Sequence, residues 1–215
     1  PDGPMRALHA INPIRIGWIL EQLPNTSLKV CDIGCGAGLF TEAMADAHHQ
    51  VTGIDSSKKL IRIAQGHAQH HQRKIQYIQT NLEDFIGEHT HDFDVMTCLE
   101  VLEHVPDPAR MIAQCAQCCK PGGLLFFSTL NRSYSAWLLG ILVAEHVLNL
   151  VPKNTHQYDA FIRPSELKRW ANQSNLTLQT ISGLKFNPIN NTAALSHDVK
   201  INYMMCFKKS DASQH

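Results

Sequence analysis

The chain is 215 residues long, 44% hydrophobic and 18% charged, and its nineteen basic residues cancel its nineteen acidic ones. That length suits one domain with a sizeable core and no need of a disulfide or metal staple. The balanced charge excludes the basic excess of a non-specific nucleic-acid binder, and the composition excludes an acidic or Pro/Gly-rich disordered chain.

The first predicted element is a helix over Ile14 to Leu23. Leu28 to Ile33 reads as a short apolar strand running into Gly34-Cys35-Gly36-Ala37-Gly38, and Leu39 to Ala47 follows as a helix. Val51 to Ile54 is a second strand, ended by Asp55. Ser57 to His70 is helical, with Leu60, Ile61 and Ala64 at helical spacing, and Ile75 to Ile78 alternates as a strand does. Phe93 to Cys98 is a fourth strand. Pro108 to Cys119 is a helix stopped by Pro121-Gly122-Gly123, and Leu124 to Ser128 is a continuous apolar strand. Beyond residue 131 the character changes. Ser135 to Val151 is strongly apolar, Pro152 to Tyr158 is polar, and Arg163-Pro164-Ser165-Glu166-Leu167 opens another helix. The last strands fall near Thr177 to Ile181 and Tyr203 to Phe207, with Met204, Met205 and Phe207 as core.

Alternating strands and helices imply an α/β fold: one domain over 1–215, a mostly parallel sheet with helices on both faces, and a helical insertion over about 131–170 before the last strands. Such sheets bind ligands outside the carboxyl ends of their strands. Thirteen histidines, many in pairs such as His48-His49 and His70-His71, lie on polar stretches that read as solvated surface. Seven cysteines are scattered through apolar or Gly-rich surroundings. Cys115-x-x-Cys118-Cys119 has no second pair at ligand spacing, so a reducing compartment is expected rather than a disulfide framework.

The glycine loop directly follows a strand and precedes a helix, where glycine lets a backbone approach a ligand closely. Its Gly-x-Gly-x-Gly spacing differs from the dinucleotide Gly-x-Gly-x-x-Gly, and it carries no basic residue of the kind a triphosphate site wants. Asp55, at the end of the second strand, offers a carboxylate to a ribose diol. The ligand expected here carries a ribose without a phosphate. Loop, acid and strand order together resemble the class I S-adenosylmethionine (SAM)-dependent methyltransferases. That resemblance implies a Rossmann-like, seven-stranded sheet. It also implies Gly34, Gly36 and Asp55 as cofactor contacts, Asp32 near the methionyl amino group, and Asn81 with Leu82 at the adenine, where many of these enzymes have an acid.

After the fourth strand, Glu100, Glu103 and His104 stand at i, i+3 and i+4. On one helical turn they would share a face. Two carboxylates and an imidazole suit a divalent cation with open positions, and equally suit packing or substrate contact without one.

A closer resemblance emerges from Leu8 to Arg15, Cys98 to Pro108, Phe127 to Arg132, Val151 to His156, Phe161 to Leu167 and Asn187-Pro188-Ile189, in that order. Together they resemble the ubiquinone biosynthesis O-methyltransferase family from Ala7 to Phe207. The resemblance implies methylation of ring hydroxyls on polyprenylated catechol-type substrates, 2-polyprenyl-6-hydroxyphenol and 3-demethylubiquinol. It implies Arg15 on the cofactor carboxylate and Leu99 lining the cofactor. Glu100, Glu103 and His104 match the family's divalent-metal triad, for Mg or Zn, and are the catalytic candidates. Pro1-Asp2-Gly3 resembles the middle of the family's N-terminal region, so a preceding segment is expected. The expected location is cytoplasmic and peripheral at a bacterial inner membrane, or the matrix side of a mitochondrion, with a biosynthetic complex as a further partner.

Trp137 to Ala144 is eight residues, interrupted by Glu145-His146, against the ~20 that a spanning helix needs. The segment 135–151 reads as a peripheral membrane contact, a path for the polyprenyl tail, or an ordinary buried helix. Two alternatives stand beside the leading reading: a class I methyltransferase for another small-molecule hydroxyl, and a non-catalytic SAM-binding subunit.

Overall fold

The computed structural model describes residues 6–132, 161–187 and 190–211. The apolar run Ser135 to Val151 and the polar stretch after it lie outside the described residues. In chain order the elements are α1 (Arg6–Leu20), β1 (Lys29–Ile33), α2 (Leu39–Asp46), β2 (Gln50–Asp55), α3 (Lys58–His70), β3 (Gln76–Gln79), α4 (Leu82–Ile86) and β4 (Phe93–Leu99). A short 3-10 turn over Leu102–His104 leads to α5 (Pro108–Cys118) and β5 (Cys119–Leu130). The chain ends with α6 (Pro164–Gln173), β6 (Leu176–Asn187), β7 (Thr192–Ser196) and β8 (Asn202–Lys209).

The strands form one sheet in the order β3-β2-β1-β4-β5-β8-β6-β7. β1 to β5 pair in parallel, and β8, β6 and β7 pair antiparallel. The sheet therefore has eight strands rather than the expected seven. The additional one is β7, a hairpin partner of β6 at the sheet edge, pairing Leu184 with Leu195. Its sequence, Thr-Ala-Ala-Leu-Ser, has one β-branched residue and no clear alternation, so it carries little strand signal.

The central strands are mainly apolar because both faces are covered. On one face Trp18 and Ile19 of α1 and Phe40 and Met44 of α2 pack on Val95, Phe126 and Met204. On the other, Phe85, Ile112 and Leu167 of α4, α5 and α6 pack on Met96, Phe127, Tyr203, Met205 and Phe207. Neighbours along a strand point to opposite faces, so Phe126 meets Trp18 edge-on at 5.9 Å while Phe127 meets Phe207 at 6.0 Å. All seven cysteines are free and buried. His89 departs from the solvated reading of the histidines: it stacks on Phe85 at 4.1 Å and its Nδ1 lies 2.9 Å from Asp92 Oδ2.

Strand order reverses direction between β1 and β4, which opens a crevice at the carboxyl ends of the parallel strands. The glycine loop, Asp55 and Glu100 all stand at those ends.

Candidate active site

The loop from β1 to α2 holds Gly34, Gly36 and Gly38 at φ 69°, 56° and 88°. Those left-handed angles cost a residue with a Cβ about 1–2 kcal/mol. At Gly36 an added Cβ would meet nothing within 4 Å, so that backbone faces open space in the crevice. At Gly34 a Cβ would come 2.5 Å from Val101 Cγ2. The glycine loop thus packs directly on the loop after β4. Gly36 N–H donates to Asp55 Oδ2 at 3.0 Å and Ser57 N–H donates to Oδ1 at 2.7 Å, so the Asp55 carboxylate is fixed beside the glycine loop.

Asp32 is placed differently from the contact residue that the resemblance implies. It is 3% exposed, and its two oxygens accept from Thr41 Oγ1 at 2.7 Å and Thr97 Oγ1 at 2.8 Å. Burial outweighs those two hydroxyls and pushes its carboxyl up to about 6. Asp32 ties β1 to α2 and β4 beneath the crevice. Asn81 is exposed and caps α4: its Oδ1 accepts from Asp84 N–H at 2.9 Å. The Leu82 side chain is in the core. Leu99 ends β4, half-buried against the α1 side of the sheet.

Arg15 projects from α1 and is 7% exposed. Nη1 donates to Asn12 Oδ1 at 3.3 Å and Nη2 to Glu100 Oε1 at 2.8 Å. Nε is buried with no partner among the described residues. A buried, unmatched guanidinium N–H costs about 1–3 kcal/mol or more, and a ligand carboxylate would relieve it.

The expected single helical turn through Glu100 and His104 is not what forms. Glu100 is left-handed at φ 57°, and only Leu102–His104 make a 3-10 turn. Fully buried Leu102 pins that turn to the core. Glu100 N–H donates to Ser128 C=O at 3.0 Å and Ser128 Oγ donates to Glu100 Oε1 at 2.7 Å. Thr129 Oγ1 donates to Glu103 Oε2 at 2.7 Å. Burial and the neighbouring Glu100 carboxylate push the Glu103 carboxyl up to about 7. His104 is exposed. Among the described residues no three His, Cys, Asp or Glu side chains stand together as a metal site. The two carboxylates come together; the imidazole does not join them.

A family profile described as a methyltransferase domain matches residues 12–181. The ubiquinone biosynthesis O-methyltransferase of Coxiella burnetii is 48% identical over 96% of this chain and 88% of its own. The proteins of the same name from Idiomarina loihiensis and Methylococcus capsulatus are 46% and 43% identical over 99% of this chain. The chain belongs to the ubiquinone biosynthesis O-methyltransferase family. It is a SAM-dependent methyltransferase that performs an O-methylation of ubiquinone biosynthesis. Among solved structures, the magnesium protoporphyrin IX methyltransferase of Synechocystis with bound S-adenosylhomocysteine superposes with a TM-score of 0.71. That match covers 95% of this chain and 84% of the other at 18% identity, which establishes the shared fold.

Several residues that build this methyltransferase's site carry no legible signal. Thr41 and Thr97 hold Asp32, and Ser128 and Thr129 hold the two glutamates. A hydroxyl inside an apolar strand, as in Phe126-Phe127-Ser128-Thr129, is the one hint available. Among the described residues no helix is long and apolar enough to cross a membrane.

Proposed function

We propose that this chain transfers the SAM methyl group to a ring hydroxyl of a polyprenylated catechol-type intermediate, with Glu100 and Glu103 as the groups that handle the hydroxyl. The observation that carries this is the facing carboxylate pair at the end of β4, beside the Arg15 guanidinium and across from the glycine loop. SAM supplies a sulfonium methyl for in-line displacement. On the protein side, Gly34 and Gly36 let the backbone come close, Asp55 takes the ribose diol, and Arg15 Nε takes the carboxylate. Asp32 supports the loop from beneath, and Leu99 with the Asn81-Leu82 backbone borders the base.

A phenol with a pKa near ~10 is about 0.1% ionised at pH 7. A carboxyl of Glu103 poised near neutrality can accept that proton, and one positioned base contributes roughly 10²–10⁴-fold. The donor set also suits a divalent cation, because two close carboxylates repel unless a proton or a cation lies between them. Glu100 and Glu103 would hold it, with exposed His104 as the third candidate donor. A cation there would lower the hydroxyl pKa and orient adjacent ring oxygens.

The polyprenyl tail gains ~0.8 kcal/mol per buried methylene, so its carrier partitions into a bilayer. That supports peripheral membrane contact through 135–151 and a place at the inner membrane or matrix side, with other pathway enzymes as partners. Cosedimentation with anionic vesicles tests the contact.

The test of the reaction is methyl transfer from SAM to a short-chain demethylated ubiquinol, run with excess chelator and then with Mg²⁺ or Zn²⁺ restored. Activity lost and recovered supports the cation at Glu100, Glu103 and His104. Activity indifferent to chelator leaves the two carboxylates as base and positioning groups. A rate independent of tail length points to another small-molecule hydroxyl, and SAM binding without transfer to any phenol points to a non-catalytic subunit.

A further inference from the structure

β5 carries Ser128 and Thr129 in succession, both fully buried, and each donates a 2.7 Å hydrogen bond to a different glutamate. Successive side chains of a strand point to opposite faces of the sheet. Ser128 shares its face with Phe126, the side covered by α1 and α2, and reaches Glu100, which is also bonded to Arg15 of α1. Thr129 shares its face with Phe127 and Tyr203, the side covered by α4, α5 and α6, and reaches Glu103. The pair is therefore gripped from both faces at the end of one strand. The left-handed backbone at Glu100 is what carries the chain around that end, and its N–H is tied to Ser128 C=O. A non-glycine residue keeps such a conformation only where its surroundings over-determine it. β5 itself is rigid here: Ser128 pairs with Leu99 of β4 and Met204 of β8, and Thr129 with Tyr203.

We infer that Ser128 and Thr129 are positioning residues, a two-sided hydroxyl clamp that sets the separation and direction of the Glu100 and Glu103 carboxylates. This rests on the reading of those glutamates as the catalytic pair. The two halves are unequal. Glu100 Oε1 keeps the Arg15 guanidinium if the Ser128 hydroxyl is lost, whereas Glu103 loses its one described hydroxyl donor with Thr129.

The test compares Thr129→Val, Thr129→Ser and Ser128→Ala, assayed with SAM and a synthetic catechol bearing a short prenyl tail. SAM affinity is measured in parallel by calorimetry. Thr129→Val keeps the shape and removes the hydroxyl; it should lower kcat about 10- to 100-fold, the worth of one hydrogen bond to a charged group, with the SAM Kd within about twofold. Thr129→Ser should return kcat to within about threefold, and Ser128→Ala should cost about three- to tenfold, less than Thr129→Val. An unchanged kcat in Thr129→Val, or a serine variant as slow as the valine one, overturns the clamp. Should the valine variant fail to fold, Ser128→Ala decides alone: no fall in kcat refutes the clamp. Glu103→Gln in the same assay separates the two readings. If it retains turnover at the wild-type rate, the catalytic assignment fails; if it is inactive while Thr129→Val turns over at the wild-type rate, only the clamp fails.

Discussion

Arg15 has an incomplete set of partners among the described residues. Two of its guanidinium nitrogens are matched and buried Nε is not. On the proposed role a ligand carboxylate would complete the fork, which lysine cannot reproduce. Arg15→Lys should weaken SAM binding by about tenfold or more by calorimetry, while Glu21→Gln on the solvent side of the same region leaves it unchanged. Asp32 makes a pH prediction. Its carboxyl is raised from 3.8 to about 6 by burial, so the folded state holds a proton that the unfolded chain has released between those values. Its contribution to stability is full below pH ~4 and lost as pH rises through ~6. The shift of about two units corresponds to roughly 3 kcal/mol. Urea unfolding of the wild type and of Asp32→Asn at pH 4.5 and pH 7.5 should show the wild type losing ground to the variant at the higher pH. A difference independent of pH would mean that the carboxyl is not raised.

The glycine loop and the loop after β4 act as one element, because Gly34 packs on Val101, which lies between Glu100 and Glu103. Gly34→Ala meets both a left-handed φ and that side chain, so it should lower kcat and SAM affinity together. Gly36→Ala meets open space, so its cost should fall on SAM affinity, with stability lowered by only about 1–2 kcal/mol. Equal effects of the two substitutions on turnover would contradict this coupling. The same elements show what could be read from residues and what could not. The strand, glycine loop and Asp55 order was legible because each step has its own residue signature. α1 was expected from Ile14 and instead starts at Arg6 and runs through Pro13 in its middle, since tertiary packing on the sheet overrides the helix-breaking tendency of that proline. α4 has five residues, too short for periodicity, and only its Asn81 cap marks it. Glu100 and Glu103 do come together at the end of β4, but the face they would share with His104 on one helical turn does not form. That expectation needed a helical Glu100, and nothing in a glutamate announces a positive φ.

At the scale of the molecule, the glycine loop, Asp55 and the two glutamates gather at one end of the parallel sheet. The opposite end is closed by ion pairs, Lys29 with Asp92 and Lys120 with Asp94. One ligand filling the crevice should therefore stabilise the whole domain. At 100 times its Kd, SAM adds about 2.7 kcal/mol, which is about 5–10 °C in Tm for a domain of this size. NADH should give no shift, because the loop lacks the dinucleotide spacing; a comparable shift with NADH would contradict the cofactor assignment. The eight-stranded sheet adds only a marginal hairpin strand, β7, so the core architecture was legible while its edge was not.

The measurement that bears most directly on the catalytic pair is methyl transfer from SAM to a short-chain prenyl catechol by the wild type and by Glu103→Gln. SAM affinity would be measured on the same samples. The expected result is transfer by the wild type and a rate at least about 100-fold lower in the variant, with SAM affinity unchanged. Turnover by Glu103→Gln at the wild-type rate would show that the carboxylates at the end of β4 do not handle the hydroxyl.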